Sequence, residues 1–197
     1  MVPEQSADPK PSVPHEPLNT RLLIVLGVFL ITVAIDRWTK VLATSHLERS
    51  GRLSYLGDTV RLDFAKNPGA FLSLGSTLPT QIRGAVFTWA VAALLAFLAY
   101  LVVTRPAMHR RMRVALALVL AGGAGNLYDR VMQNGLVTDF MNLGIGPLRT
   151  GIFNVADLAI VAGVVLLAWP EKKPPKQPDA TTTESTAPNA EKEPRAP

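Results

Sequence analysis

The 197-residue chain contains no cysteine. Disulfides, thiolate-held zinc and a cysteine nucleophile are therefore excluded within it. Histidine is scarce as well. The three residues, His15, His46 and His109, are scattered, so no histidine metal cluster and no metal cofactor is expected. A serine hydrolase needs a base beside its serine, and only His46 lies near the region of interest. Aromatic residues are few and do not interleave with the basic ones. The net charge of +5 and the pI of about 9.8 therefore do not describe a nucleic-acid surface. No small-x-small cleavage site follows the first apolar segment, where Asp36-Arg37-Trp38 stands instead. A retained first span is expected rather than a cleaved leader.

Apolar residues dominate what is there, at 48% of the chain with a positive mean hydropathy. Four stretches approach the ~20 residues needed to cross ~30 Å of hydrocarbon. They run from Arg21 to Trp38, Ile82 to Val103, Arg113 to Val131 and Ile152 to Trp169. The expected fold is an all-α membrane protein of four transmembrane helices over residues 21–170. The Pro-rich segment 1–20 and the Pro-, Lys-, Glu- and Thr-rich segment 171–197 read as disordered tails. Between the second and third spans, Arg105, Arg110, Arg111 and Arg113 crowd one short loop. The positive-inside rule makes that loop cytoplasmic. Lys172, Lys173 and Lys176 after the fourth span agree, and both termini are then cytoplasmic.

The first outer loop carries strand and turn signals. Val60-Arg61-Leu62-Asp63-Phe64 alternates apolar and polar, and Lys66-Asn67-Pro68-Gly69 is a turn. A small extracytoplasmic β element is expected there, with the apolar segment Ala70 to Leu74 on the membrane surface. Gly122-Gly123-Ala124-Gly125 reads as a close-packing stretch of the third helix.

This orientation brings Asp36, Asp129, Asp139 and Asp157 to the outer boundary, together with Asn67. Carboxylates at the edge of hydrocarbon are costly and mark function by default. Two that face each other across a water share a proton, because like charges at that spacing cannot both ionise comfortably. The ionised partner draws a proton from water, and the protonated partner polarises a carbonyl and later protonates the leaving nitrogen. That is a peptide-hydrolysing device needing no metal. The residues alone do not single out the pair. Asp157, three after the candidate N-cap Asn154, also reads as a capping carboxylate. Asp129 reads as an ion-pair organiser beside Arg130, and Asp36 as the partner of Lys40 one helical turn on; Asp139, in an apolar setting that would raise its pKa, reads as a working acid or as an exposed loop carboxylate.

Five segments together resemble the bacterial lipoprotein signal peptidases (signal peptidase II). They are Asp36-Arg37-Trp38-Thr39-Lys40, Asn67-Pro68-Gly69-Ala70-Phe71, Gly122 to Arg130, Val137-Thr138-Asp139-Phe140 and Phe153-Asn154-Val155-Ala156-Asp157. The resemblance implies an aspartyl endopeptidase of the cytoplasmic (inner) membrane. It implies cleavage of prolipoproteins on the amino side of a diacylglyceryl cysteine, contact with membrane lipid and inhibition by globomycin. It implies Asp139 and Asp157 as the dyad, with supporting roles for Asp36, Lys40, Asn67, Asn126, Asp129, Arg130 and Asn154. An intramembrane protease of the presenilin type fits less well: Tyr128-Asp129 matches superficially, but no GxGD motif follows. A non-enzymatic carrier would use the carboxylates to bind cations.

Overall fold

A computed structural model describes residues 17–69, 80–105 and 108–170, with side chains for residues 80–83 left aside. The two expected tails and the segment Ala70 to Leu74 lie outside the described residues, except for the few positions bordering the first helix. In chain order the elements are α1 (Leu18–Ser50), β1 (Leu53–Tyr55), β2 (Val60–Asn67), α2 (Thr80–Thr104), α3 (Arg110–Met132), β3 (Val137–Ile145), β4 (Leu148–Arg149) and α4 (Val155–Ala168). All four expected helices form. Helix α3 is central and packs against α4, α1 and α2.

The interior of the structure combines apolar side chains such as Leu116 and Leu120 with a set of buried polar ones, and its outside is apolar. Asn154, Thr138, Asp36, Asp129 and Asp139 are its largest fully buried side chains, while Leu23, Ile31, Trp89, Phe97 and Val161 lie exposed. Such an arrangement suits a hydrocarbon surround, where the outer face gains nothing from polar groups and interior polar groups must satisfy one another. Among the described residues, α1 and residues 84–104 of α2 are long and apolar enough to cross a bilayer by length and composition. Helix α4 is apolar but only 14 residues long, about 21 Å at 1.5 Å per residue. Helix α3 has the length, but Arg110, Arg111, Arg113, Asn126, Asp129 and Arg130 interrupt its hydropathy.

Two sequence expectations require correction. First, α1 does not stop near Trp38 but continues to Ser50. Nothing between those residues breaks a helix, and Gly51 ends it at φ 75°. The extension is amphipathic rather than hydrophobic. Its Ala43 and Leu47 pack with Phe140, Leu62, Phe64 and Met141 beneath the sheet. Second, the β element is not confined to the first loop. Strands β1 and β2 join β3 and β4 in one antiparallel sheet of order β1-β2-β3-β4. Asp139 is thus a strand residue, paired with Ala65 of β2 just past a bulge, and not a loop carboxylate.

The glycine stretch packs as expected. A Cβ at Gly123 would lie 2.5 Å from Leu95 Cδ2, and one at Gly125 would lie 2.7 Å from Asp36 Oδ2. At Gly122 it would drive into the backbone carbonyl of Ala156, the residue before Asp157. Backbone cannot step aside as a side-chain tip can. Gly122→Ala is therefore expected to lower stability by about 1–3 kcal/mol and to impair catalysis by displacing the start of α4. A thermal melt in detergent with a parallel turnover assay checks both, and unchanged values would show that α4 is free to shift.

Candidate active site

The start of α4 is held by a reciprocal cap. The Asn154 side chain accepts from the Asp157 N–H at 3.0 Å, and Asp157 Oδ2 accepts from the Asn154 N–H at 3.0 Å. The capping role expected for Asp157 is real, and it fixes the carboxylate without using it up: Oδ1 faces Asn126, whose Nδ2 donates at 2.8 Å. Backbone hydrogen bonds between Phe153 and Met141 in both directions, each 2.8 Å, stitch the preceding segment to β3. That pairing brings Asn154 against Asp139.

Asp139 is 1% exposed. Asn154 Nδ2 donates to its Oδ1 at 2.6 Å, and Asn67 Nδ2 donates to its Oδ2 at 2.8 Å. Burial, helped by the nearby charge of Asp157 and opposed by the hydrogen bonds from Asn67 and Asn154, pushes its carboxyl up to about 6. One buried asparagine therefore touches both acids. Asn154 also donates to Asn126 Oδ1 at 3.1 Å, which closes a small network of amides around the two carboxyl groups.

Asp36 and Asp129 form a second layer. The expected Asp36–Lys40 pair is present at 3.1 Å, within a larger cluster. Lys40 Nζ reaches Asp129 Oδ2 at 2.9 Å and donates to Asn126 Oδ1 at 2.9 Å. Although the adjacent Asp36 and Arg37 of α1 pair at 2.8 Å, Asp129 does not pair with its neighbour Arg130. Its cationic partners come from α1. Arg130 Nη1 instead donates to the Asn126 carbonyl at 3.4 Å, and its guanidinium stands beside Gly69. Among the described residues it makes no ion pair.

Eight of the nine residues singled out from the sequence thus converge in one hydrogen-bonded cluster, and Arg130 flanks it. Sequence reading missed Arg37, whose Nη1 donates to Asp129 Oδ1 at 2.6 Å. It also missed Thr138, whose N–H donates to Asp129 Oδ2 at 3.3 Å, and Gln133, whose Nε2 donates to Asp129 Oδ1 at 2.9 Å. Only the Asp36-Arg37 adjacency could have pointed to Arg37. Thr138 stands in the Val137-Thr138-Asp139-Phe140 segment but was not singled out, and Gln133 carries no periodic or motif signal. Among the described residues no group of three or more histidines or acids could hold a metal ion. An apolar recess of about 400 Å³, lined by Leu42, Ala43, Leu47, Leu62 and Phe140, opens next to the strand that carries Asp139.

The family model described as Signal peptidase (SPase) II matches residues 28–171. The chain belongs to the signal peptidase II family. Among curated relatives, the lipoprotein signal peptidase of Moorella thermoacetica is 36% identical over 140 residues, covering 71% of this chain and 87% of the relative. That of Rhodococcus jostii is 33% identical over 167 residues, covering 81% and 78%. A solved structure described as a bacterial membrane enzyme, obtained by the in meso method at 1.9 Å resolution, superposes with a TM-score of 0.60 at 27% identity. It covers 77% of this chain and 91% of that one. As a signal peptidase II the chain is an aspartic peptidase that removes signal peptides from prolipoproteins. The presenilin-type and carrier readings are set aside.

Proposed function

We propose that Asp139 and Asp157 are the catalytic dyad of this peptidase. The observation that carries the assignment is the shared contact with Asn154, together with the raised carboxyl of Asp139. In the active form of the enzyme Asp139 holds the proton. Asp157 is the base: it takes a proton from a water lying between the two, and the resulting hydroxide adds to the scissile carbonyl. Asp139 donates its proton to the carbonyl oxygen as the tetrahedral intermediate forms. When the C–N bond breaks, the proton on Asp157 passes to the leaving nitrogen, and the gem-diol returns one to Asp139. Amide donors on both acids keep them oriented throughout.

The substrate class follows from family membership, and the resemblance to lipoprotein signal peptidases implies its lipid. The bond cut lies on the amino side of a diacylglyceryl cysteine. Acyl chains that remain in the bilayer hold that bond near the outer interface, where Asp36 stands within α1, α3 ends and α4 begins. The apolar recess beside β3 suits alkyl groups, and Arg130 suits a substrate carbonyl at the rim. Helices α3 and α4 complete four spans over residues 21–170 in the cytoplasmic (inner) membrane. The arginine loop and both termini are cytoplasmic, and the dyad is extracytoplasmic. Globomycin is expected to occupy the dyad as an uncleaved mimic.

The test compares a diacylated precursor with its unmodified counterpart, with and without globomycin, across pH. The lipidated form is expected to be cleaved, globomycin to block it, and the unmodified form to be poorly used. The active enzyme holds one proton on the pair, and its apparent pKa values belong to both acids. Asp139 loses its proton as pH rises through about 6, so kcat/KM for the free enzyme is expected to fall above that point. Equal use of both precursors would overturn the lipid requirement. A flat profile between about pH 5 and 8 would overturn the shared proton.

A further inference from the structure

We infer that Arg37 is a positioning residue for the dyad, one that joins the two anchors from which Asp139 and Asp157 hang. The inference rests on the dyad reading above. The residue immediately before each acid has its backbone N–H bound by a buried carboxylate. Thr138 N–H donates to Asp129 Oδ2 at 3.3 Å, and Ala156 N–H donates to Asp36 Oδ1 at 3.0 Å. Strand β3 and helix α4 are thus pinned one residue upstream of their reacting groups. Arg37 connects the pins. Its Nη1 donates to Asp129 Oδ1 at 2.6 Å, while its Nη2 donates to Asp36 Oδ2 at 2.8 Å and to the Gly125 carbonyl at 3.3 Å.

Lys40 also bridges the two carboxylates, but a point charge on a flexible stem sets no direction. A guanidinium is a rigid planar fork, and its two ends fix the separation of the groups they hold. The Tyr128 ring lies over this fork, 4.9 Å from Arg37 Cζ to its centroid, and limits its rotation. The arrangement also controls charge. Asp36 and Asp129 are balanced by Arg37 and Lys40, which leaves the layer behind the dyad neutral. The charged groups around the dyad are Lys40 from α1, Asp129 and Arg130 from α3, and Lys66 from β2, whose Nζ donates to Thr138 Oγ1 at 3.0 Å. Without Arg37 this layer gains one net negative charge, which makes ionisation of the dyad harder.

Arg37 is also the member of the layer that can be altered most gently. Its side chain is 27% exposed, against 4% or less for Asp36, Lys40 and Asp129. It borders a cavity of about 310 Å³ that water can fill.

The test measures kcat, KM, the pH profile and the thermal midpoint of Arg37→Gln and Arg37→Lys on a lipidated precursor, with Asp139→Asn as the inactive reference. Arg37→Gln is expected to lower kcat roughly 10- to 100-fold, as a displaced reacting group does. KM should stay within about twofold, and both limbs of the pH profile should move to higher pH. Arg37→Lys is expected to restore the limbs, because the charge returns, and to recover only part of kcat, because the fork does not. Wild-type kcat in Arg37→Gln would overturn the inference. So would a loss that follows the thermal midpoint alone while the limbs stay in place. An active Asp139→Asn reference would instead overturn the dyad, so the two failures are distinct.

Discussion

Asp139→Asn and Asp157→Asn are each expected to reduce cleavage of a lipidated precursor by at least about 10³-fold, within the range seen for removing a general acid or base. The folded protein should persist. Asparagine keeps the size and an acceptor oxygen at both positions. At 157 that oxygen still serves the Asn154 N–H or Asn126, and the remaining cap contact costs about 0.5–1 kcal/mol if lost. At 139 the sign is opposite above neutrality. The native state raises the Asp139 carboxyl to about 6, so it binds that proton more tightly than the unfolded chain does. Its destabilising contribution is absent below about pH 4, builds up between about pH 4 and 6, and is fully present above that. The neutral amide removes it. Asp139→Asn is therefore expected to melt about 1–2 kcal/mol more stably than wild type at pH 8, after allowance for a weakened Asn67 or Asn154 contact, and to lose that advantage at pH 4. Activity and melting curves across pH decide the matter. Substantial turnover by either variant would refute the dyad, and a stability gap independent of pH would refute the proton held by Asp139.

The second large effect is structural. Lys40→Met is expected to destabilise the protein by about 3–5 kcal/mol, the usual consequence of leaving a buried charge unpaired. Lys40 is 3% exposed and serves Asp36, Asp129 and Asn126 at once. Methionine fills its stem but supplies no donor, so among the described residues Arg37 is left as the one cation between two carboxylates. For a domain of this size the loss corresponds to a fall of about 10 °C in the thermal midpoint. Neutralising one acid in the same chain, as in Lys40→Met with Asp129→Asn, should recover part of it, because the surplus charge disappears. The double-mutant cycle measures that recovery. Strict additivity would show that Lys40 and Asp129 do not depend on each other.

Hydropathy and capping account for what could be read along the chain. The four helices are legible because each carries an apolar run, although among the described residues only α1 and α2 are both long and apolar enough to cross a bilayer. The start of α4 is legible because Asn154 and Asp157 stand three residues apart, the spacing a reciprocal cap requires. The Asp36–Lys40 pair is legible because one helical turn separates its members. The far half of α1 was missed, because hydropathy responds to lipid-facing residues and not to an amphipathic helix that supports a sheet. The partners of Asp129 were missed as well, because Arg37 and Lys40 reach it from α1 across a helix packing that hydropathy does not report.

By itself, then, the sequence determined the local facts: which segments are helical, where α4 begins, and which residue types are present to share a proton. Tertiary structure alone decided which acids meet. The pairing of β2 with β3 joins strands about seventy residues apart and brings Asn67 to Asp139. The link from Phe153 to Met141 sets Asn154 between the two acids, and the close approach of α3 at Gly122 and Gly125 admits Asp36 beside α4. Those contacts join segments far apart in the chain. They depend on shape and on the mutual satisfaction of buried polar groups, and neither has a period or a motif in one dimension.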